Sequence, residues 1–306
     1  MRKTILALLL CVMIPLSALS QSIIVYTPKD GRGAPFEKVE TVPGPPFTPG
    51  EDLLSVDFIF MGMGDCILLR CGGETMLVDG GMAVRYADTA AFLDYAGVSG
   101  FTYMLNTHCH ADHISGLYKI VRQGYPVGTY MAPYDDEYTF SDEQIKMRAL
   151  LDEKGIPYRK ISSGDRFTLG NAEISVYRDE RPLSDKNMHS VVLLVAFGQR
   201  TILLTADIGP DAEMWLLSLY GIALKADIIK WPHHGYMPVN TEFLDTVSPQ
   251  LAIITNNRLV TKDVDRQLAR RGIPRYYTHS GHVRLLTNGI LWHAEQMIYG
   301  EPGPAR

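Results

Sequence analysis

Two spacings of apolar residues divide most of the chain between strands and helices. Residues 54–60 (Leu-Ser-Val-Asp-Phe-Ile-Phe) alternate as a half-buried strand, Gly62-Met-Gly-Asp65 turns the chain, and residues 66–70 and 75–78 continue as strands. Residues 83–95 read as a helix, 101–106 as an apolar strand, and Ile114, Leu117, Ile120 and Val121 take helical spacing over 114–123. A short strand from 127 and a helix near 142–153 follow, separated by the acidic run 135–137, which reads as a solvated loop. Residues 166–169 and 172–177, split by Gly170-Asn171, predict a hairpin. Two strongly apolar strands, 191–197 and 201–205, are joined by Gly198-Gln-Arg200. Helices are then expected over 211–220, 242–247 and 263–271, with strands at 226–231, at 251–255 and within 275–293. Both halves are strand-rich and punctuated by helices, as in an α/β chain.

The two ends of this pattern differ from its middle. Arg2 and Lys3 precede an almost wholly apolar run over 5–16 and then Ser17-Ala18-Leu19-Ser20, with small residues at 18 and 20. Residues 1–20 therefore read as a secretory signal peptide cleaved after Ser20, with an uncleaved anchor as the alternative. The run is short for a transmembrane helix, which needs about 20 apolar residues. The expected location is secreted, periplasmic or otherwise in the cell envelope, with no integral membrane segment after cleavage. Residues 21–52, with Pro43-Gly-Pro-Pro46 and Pro49-Gly50, read as an extended Pro/Gly-rich leader with little core of its own, and 53–306 as one folded domain.

Composition adds little beyond an ordinary globular chain: 46% apolar and 21% charged residues. The 29 basic residues, two of them in the signal, face 34 acidic ones, so no basic patch advertises a nucleic-acid groove. Cys66 and Cys71 flank one strand at an odd spacing, which points them to opposite faces and argues against a disulfide between them. Cys109 lies between two histidines and is expected to point away from them.

The chemistry concentrates in Asn106-Thr-His-Cys-His-Ala-Asp-His113. His108, His110, Asp112 and His113 place three imidazoles and a carboxylate in six residues at a strand-to-helix turn. Two histidines two apart in extended chain share a side, and the other two ligands fall at the mouth of the helix, so all four can converge on one spot. All nine histidines lie at or after residue 108.

His-x-His-x-Asp-His resembles the signature of the metallo-β-lactamase fold. The Gly-x-Gly-Asp turn at 62–65, Asp79-Gly80-Gly81 and Pro232-His-His-Gly235 are similar to a branch typified by the hydrolase domain of ComEC competence proteins and by secreted phosphorylcholine esterases. The resemblance implies a four-layer αββα sandwich with a dinuclear site at one edge of its sheets. In it His108, His110 and His189 would hold one metal, Asp112, His113 and His234 the other, with Asp207 bridging them and Asp79 supporting the site from behind. Such a nitrogen-rich set favours zinc, with manganese or iron as alternatives. It also implies hydrolysis by a hydroxide held between the two ions, with Asp112 orienting it and His233 as an alternate ligand or a contact to the transition state. Tyr236 replaces the usual Ser, and Ser115 and Ala206 replace glycines, which leaves the substrate open. A phosphodiester, in nucleic acid or a small molecule, is favoured; lactone, thioester or lactam hydrolysis and a non-catalytic binding module at the envelope or in DNA uptake are the alternatives. His279 and His282 either line the cleft or are half-buried polar residues of a terminal hairpin, and His293 is expected to be structural.

Overall fold

The computed structural model describes residues 21–27, 37–40, 47–135, 141–181, 185–256 and 262–299. The expected signal over 1–20 lies outside the described residues. Among the described residues seventeen strands form two sheets. The first is assembled from β1 (Gln21–Thr27), β2 (Glu37–Glu40), β3 (Leu54–Phe58), β4 (Ile67–Cys71), β5 (Glu74–Val78), β6 (Phe101–Leu105), β7 (Val127–Ala132) and β8 (Tyr158–Lys160). The second holds β9 (Arg166–Leu169), β10 (Ala172–Tyr177), β11 (Val192–Phe197), β12 (Arg200–Leu204), β13 (Ile228–Lys230), β14 (Leu251–Ile254) and β15 (Arg275–Tyr277). The chain then returns to the first sheet with β16 (Gly281–Thr287) and β17 (Trp292–Tyr299), giving the orders β2-β1-β17-β16-β3-β4-β5-β6-β7-β8 and β15-β14-β13-β12-β11-β10-β9.

Helices cover both outer faces. The first sheet carries α1 (Tyr86–Tyr95), α2 (Ala111–Arg122) and α3 (Asp142–Lys154); the second carries α4 (Pro210–Tyr220), α5 (Thr241–Val247) and α6 (Lys262–Arg270). Strand residues consequently divide between a central core and two helix-side cores. Ile67 and Leu69 of β4 face the core between the sheets, and Leu68 faces α1 and α2. Leu193 and Val195 of β11 likewise enter the central core while Val192 packs under α4 and α5. Strands buried on both faces read as unbroken apolar runs, which is why 191–197 and 201–205 lack alternation. This is the αββα sandwich expected.

The period-two rule also settles the cysteines: Cys66 lies in the helix-side core and Cys71 in the central one, and both are free, as is Cys109. Two stretches of the expected leader are extended strands on the first sheet. β1 runs parallel to β17, and β2 runs antiparallel to β1. An edge strand presents unpaired backbone donors and acceptors, and extended chain from upstream satisfies them.

Three features position the site. Strands β5 and β6 run parallel and end side by side, so the segments that follow them emerge together. The turn after β5 then meets α2 backbone to backbone: Gly80 N donates to His113 O (2.8 Å) and Gly116 N to Gly81 O (2.8 Å). A Cβ on Gly116 would lie 1.8 Å from the Gly80 carbonyl oxygen, so only glycine permits this approach. Finally, four of the five described non-glycine residues with positive φ are Asp79 (55°), Ala206 (47°), His233 (47°) and His234 (54°), all at this edge. Such conformations each cost about 1–3 kcal/mol and concentrate where a side chain must be aimed.

Candidate metal centre

One atom, Asp207 Oδ2, is the focus of the site. His234 Nε2 lies 3.1 Å from it, His113 Nε2 3.2 Å, and His108 Nε2 and His233 Nε2 3.9 Å each. Asp112 Oδ2 approaches from the mouth of α2, 3.5 Å from His234 Nε2 and 3.9 Å from His113 Nε2. Ligand atoms of Asp112, His113, Asp207 and His234 lie within 4.8 Å of one another. His110 occupies the N-cap position of α2 and sets its Nδ1 3.0 Å from His108 Nε2, so these two rings adjoin each other beside the group.

The far side of three of these rings is committed. His113 Nδ1 donates to Asp79 Oδ2 (2.7 Å). Thr107 Oγ1 donates to the same oxygen (2.6 Å) and can therefore accept from His108 Nδ1 (3.1 Å). Thr255 Oγ1 donates to Asp65 Oδ1 (2.7 Å) and in the same way accepts from His234 Nδ1 (3.1 Å). Two buried carboxylates thus place the proton on Nδ1 of three histidines and leave three Nε2 lone pairs aimed at Asp207. Carboxylates behind a metal-binding histidine act in this manner, fixing its tautomer and ring orientation.

Lone pairs on three imidazoles and a carboxylate repel unless a cation lies among them. Asp207 Oδ1 is buried and has no hydrogen-bond partner. Buried nitrogen and carboxylate donors converging at these distances suit a borderline divalent ion, so the residues fit the metal site that the motif implies. In the metal-free cluster protons take that place. Burial favours a neutral His234 ring, but Asp207 and Asp65 outweigh it and raise its pKa to about 10. Burial also opposes charge on His113, and again Asp207 and Asp79 raise it well above the usual value. The carboxylates respond in kind: burial would raise Asp207, yet His234 and His113 hold it well below the usual range. Asp112, similarly opposed by burial, is brought to about 2 chiefly by its hydrogen bond with His234 and the charge on His113. His108 is pushed well below the usual histidine value, first by burial and then by His113.

Residues 60–253 match the metallo-beta-lactamase superfamily. The chain belongs to that superfamily. Of the curated proteins it is similar to the uncharacterized protein YcaI of Escherichia coli (strain K12), 24% identical over 192 residues, 61% of this chain. The matched stretch is 23% of that relative's length. Among solved structures, a mutant of CmlA beta-hydroxylase superposes with a TM-score of 0.51 at 17% identity over 79% of this chain and 54% of that one. The metallo-beta-lactamase fold protein YhfI of Bacillus subtilis gives 0.50 at 13% identity over 74% of this chain and 98% of its own. At these identities the two structures speak for the fold.

Within the superfamily fold the sequence-predicted residues fall as follows. Asp112, His113, Asp207 and His234 form one group, and His108 and His110 adjoin it. His234 is buried in the group, whereas His233 is 30% exposed, stacked on Tyr236 with ring centroids 5.6 Å apart. His189 is buried at the end of the turn Lys186–His189, its ring centroid 6.3 Å from that of Tyr134. Two bonds tie its segment to the cluster: Val191 N donates to Thr107 O (3.1 Å), and Asp207 N to Ser190 Oγ (3.3 Å). His282 is buried against Phe92 and accepts from Phe60 N (2.9 Å), which makes it structural. His279 stacks on Tyr277 and meets Asn256, whose amide donates to the His234 carbonyl (3.1 Å), so it lies behind the cluster. His293 pairs with Glu295 at 2.9 Å.

Sequence reasoning missed Lys230, Asp65, Thr107 and Thr255. Lys230 is wholly buried on β13, with Nζ 2.5 Å from Asp65 Oδ2, 2.7 Å from the Ala206 carbonyl and 3.6 Å from Asp207 Oδ1. A lone cation inside the apolar run Ala226-Asp-Ile-Ile-Lys-Trp231 was its signal. The threonines left none, because a hydroxyl's role depends on which carboxylate the fold brings to it.

Proposed function

We propose that this chain is a metal-dependent phosphodiesterase with two divalent ions, zinc being favoured, held by His108, His110 and His189 and by Asp112, His113 and His234, with Asp207 between them. The convergence of four imidazoles on Asp207 Oδ2 carries this reading. When bound, such ions supply a nucleophile at neutral pH by lowering the pKa of water, and they polarise the bond attacked.

The protein's own groups do the rest. Asp112, 30% exposed at the N-terminus of α2, is positioned to accept a proton from the attacking water and hold its orientation. His233 stands beside the cluster with its Nε2 facing Asp207 and open to solvent on one side, where it can give a proton to the departing oxygen. Burial, the largest influence, lowers its pKa, which makes the protonated ring a stronger acid toward a departing oxygen. Asp79 and Asp65 hold the histidine rings throughout. The resemblance of Gly62-Met-Gly-Asp65 and Pro232-His-His-Gly235 to ComEC-like proteins supports the phosphodiester over other substrates. We further read the chain as acting outside the cytoplasm, on the strength of residues 1–20.

Elemental analysis of purified protein, coupled to hydrolysis of bis(p-nitrophenyl) phosphate with and without chelator, tests the proposal. About two ions per chain and chelator-sensitive turnover are expected. His234→Ala should lose metal, whereas His233→Ala should retain it and lose about 10²–10⁴-fold in kcat. Metal without turnover on any phosphodiester would redirect the reading to lactone, thioester or lactam hydrolysis, and neither metal nor turnover would leave a binding module.

A further inference from the structure

A hollow of about 430 Å³ has Tyr134 and His189 in its wall. Tyr134 Oη accepts from the backbone N–H of Cys109 (2.8 Å), between His108 and His110, so the wall of the hollow is the back of the ligand segment. Three cations and two carboxylates line it: Lys160, Arg178, Arg181, Asp135 and Glu180.

Two of the cations are already neutralised. Lys160 Nζ is 2.5 Å from Asp135 Oδ1. Arg181 forms a two-pronged pair with Asp179, and its guanidinium lies 4.4 Å above the Trp215 ring. Glu180 accepts from Ser163 N (3.0 Å). Arg178 is different. It is only 7% exposed, its Nη1 donates to the Pro133 carbonyl (2.7 Å), its Nε is buried without a hydrogen-bond partner, and no carboxylate among the described residues lies within ion-pair distance. Burial pulls its pKa below the usual arginine value, against the opposing influence of Glu180, the strongest of several negative groups. A guanidinium largely out of water and paired with no carboxylate among the described residues is costly, and an oxyanion in the hollow would give it a charge-assisted bond.

We propose that Arg178 receives an oxyanion of the substrate, phosphate or carboxylate, other than the group hydrolysed. The assignment as a substrate subsite rests on the hydrolase reading above. It makes the substrate a molecule with at least two anionic groups, one at the metal centre and one in the hollow.

Two experiments on the metal-loaded full chain test this. The first follows the arginine side-chain N–H resonances by ¹⁵N NMR while inorganic phosphate or, separately, acetate is added. The Arg178 signal, identified by its loss in Arg178→Lys, should shift saturably, and the probe that moves it names the anion; a signal unmoved by both overturns the proposal. The second compares thymidine 5′-(p-nitrophenyl phosphate) with and without a 3′-phosphate. The extra phosphate should lower KM by about tenfold or more in the wild type, the strength of a charge-assisted pair, with little change in kcat. Arg178→Gln should abolish the difference and Arg178→Lys restore part of it. Equal KM values for the two esters in the wild type overturn the subsite without recourse to a variant. If neither ester turns over while two ions are bound, the phosphodiesterase reading fails, and the NMR titration still decides whether the hollow takes an anion.

Discussion

Lys230→Met removes the charge that lies beneath the metal centre and keeps nearly the same side-chain volume. In the wild type the ammonium meets Asp65 at 2.5 Å, donates to the Ala206 carbonyl at 2.7 Å and lies 3.6 Å from Asp207, with every partner buried. At an effective dielectric of about 20, an ion pair at such a separation is worth roughly 7 kcal/mol gross. Desolvation cancels much of that, and deleting one partner of a buried pair leaves a net cost of about 3–5 kcal/mol, because the remaining carboxylate stays buried without compensation. Urea denaturation in the presence of chelator should therefore show an unchanged slope and a midpoint lower by about 1–2 M. Double substitution with Asp65→Asn should recover part of the loss. The pH dependence gives an independent check. Burial would raise Asp65, but Lys230 and then His234 outweigh it and hold the carboxyl below its ordinary value of 3.8. A depressed carboxylate contributes stability that is present above its unfolded pKa and lost on acidification, so the variant should lose less stability than the wild type when the pH falls below about 4. A variant within about 1 kcal/mol of the wild type at pH 7 would refute the view that Lys230 balances these carboxylates.

Three other perturbations probe separate parts of the argument. Glu213, buried on α4 and accepting from Asn240 N at 2.7 Å, has its pKa raised by burial to about 7 from 4.5. The folded state then holds its proton more tightly than the unfolded state, so stability falls as pH rises from about 4.5 to 7, by up to roughly 3 kcal/mol. Glu213→Gln should flatten that fall and melt above the wild type at pH 8, which thermal denaturation at both ends of the range can show. Asp79→Asn leaves Thr107 and His113 without their shared carboxylate and should weaken metal affinity about 10–100-fold by competition with a chromogenic chelator, with the fold retained by circular dichroism. Gly116→Ala drives a Cβ into the Gly80 carbonyl and must displace α2 together with Asp112 and His113; loss of metal binding beyond any loss of stability is expected, and unaltered metal affinity would show that the close approach is not what seats the ligands.

The sequence by itself determined which chemistry this protein can hold and most of the elements that carry it. His108, His110, Asp112 and His113 are close in the chain, so their convergence follows from local geometry at the end of β6. Long apolar runs and helical spacings likewise located α2 and the paired strands β11 and β12, because burial periodicity is a local property. Tertiary structure alone decided the rest. Asp207 becomes the common neighbour of four histidines only when β12 lies next to β13 in one sheet and that sheet's edge meets the first. The choice of His234 over His233 depends on two consecutive left-handed residues, φ 54° and 47°, which aim one ring inward and the other toward solvent. Asp65, Lys230 and Thr255 are far apart in the chain, and their roles come from burial that joins them to one another and to the cluster: Lys230 to Asp65 and Asp207, Thr255 to Asp65 and His234. Arg178 shows the same limit: nothing local distinguishes it from Arg181, and only the fold supplies Asp179 to one and withholds a carboxylate from the other among the described residues.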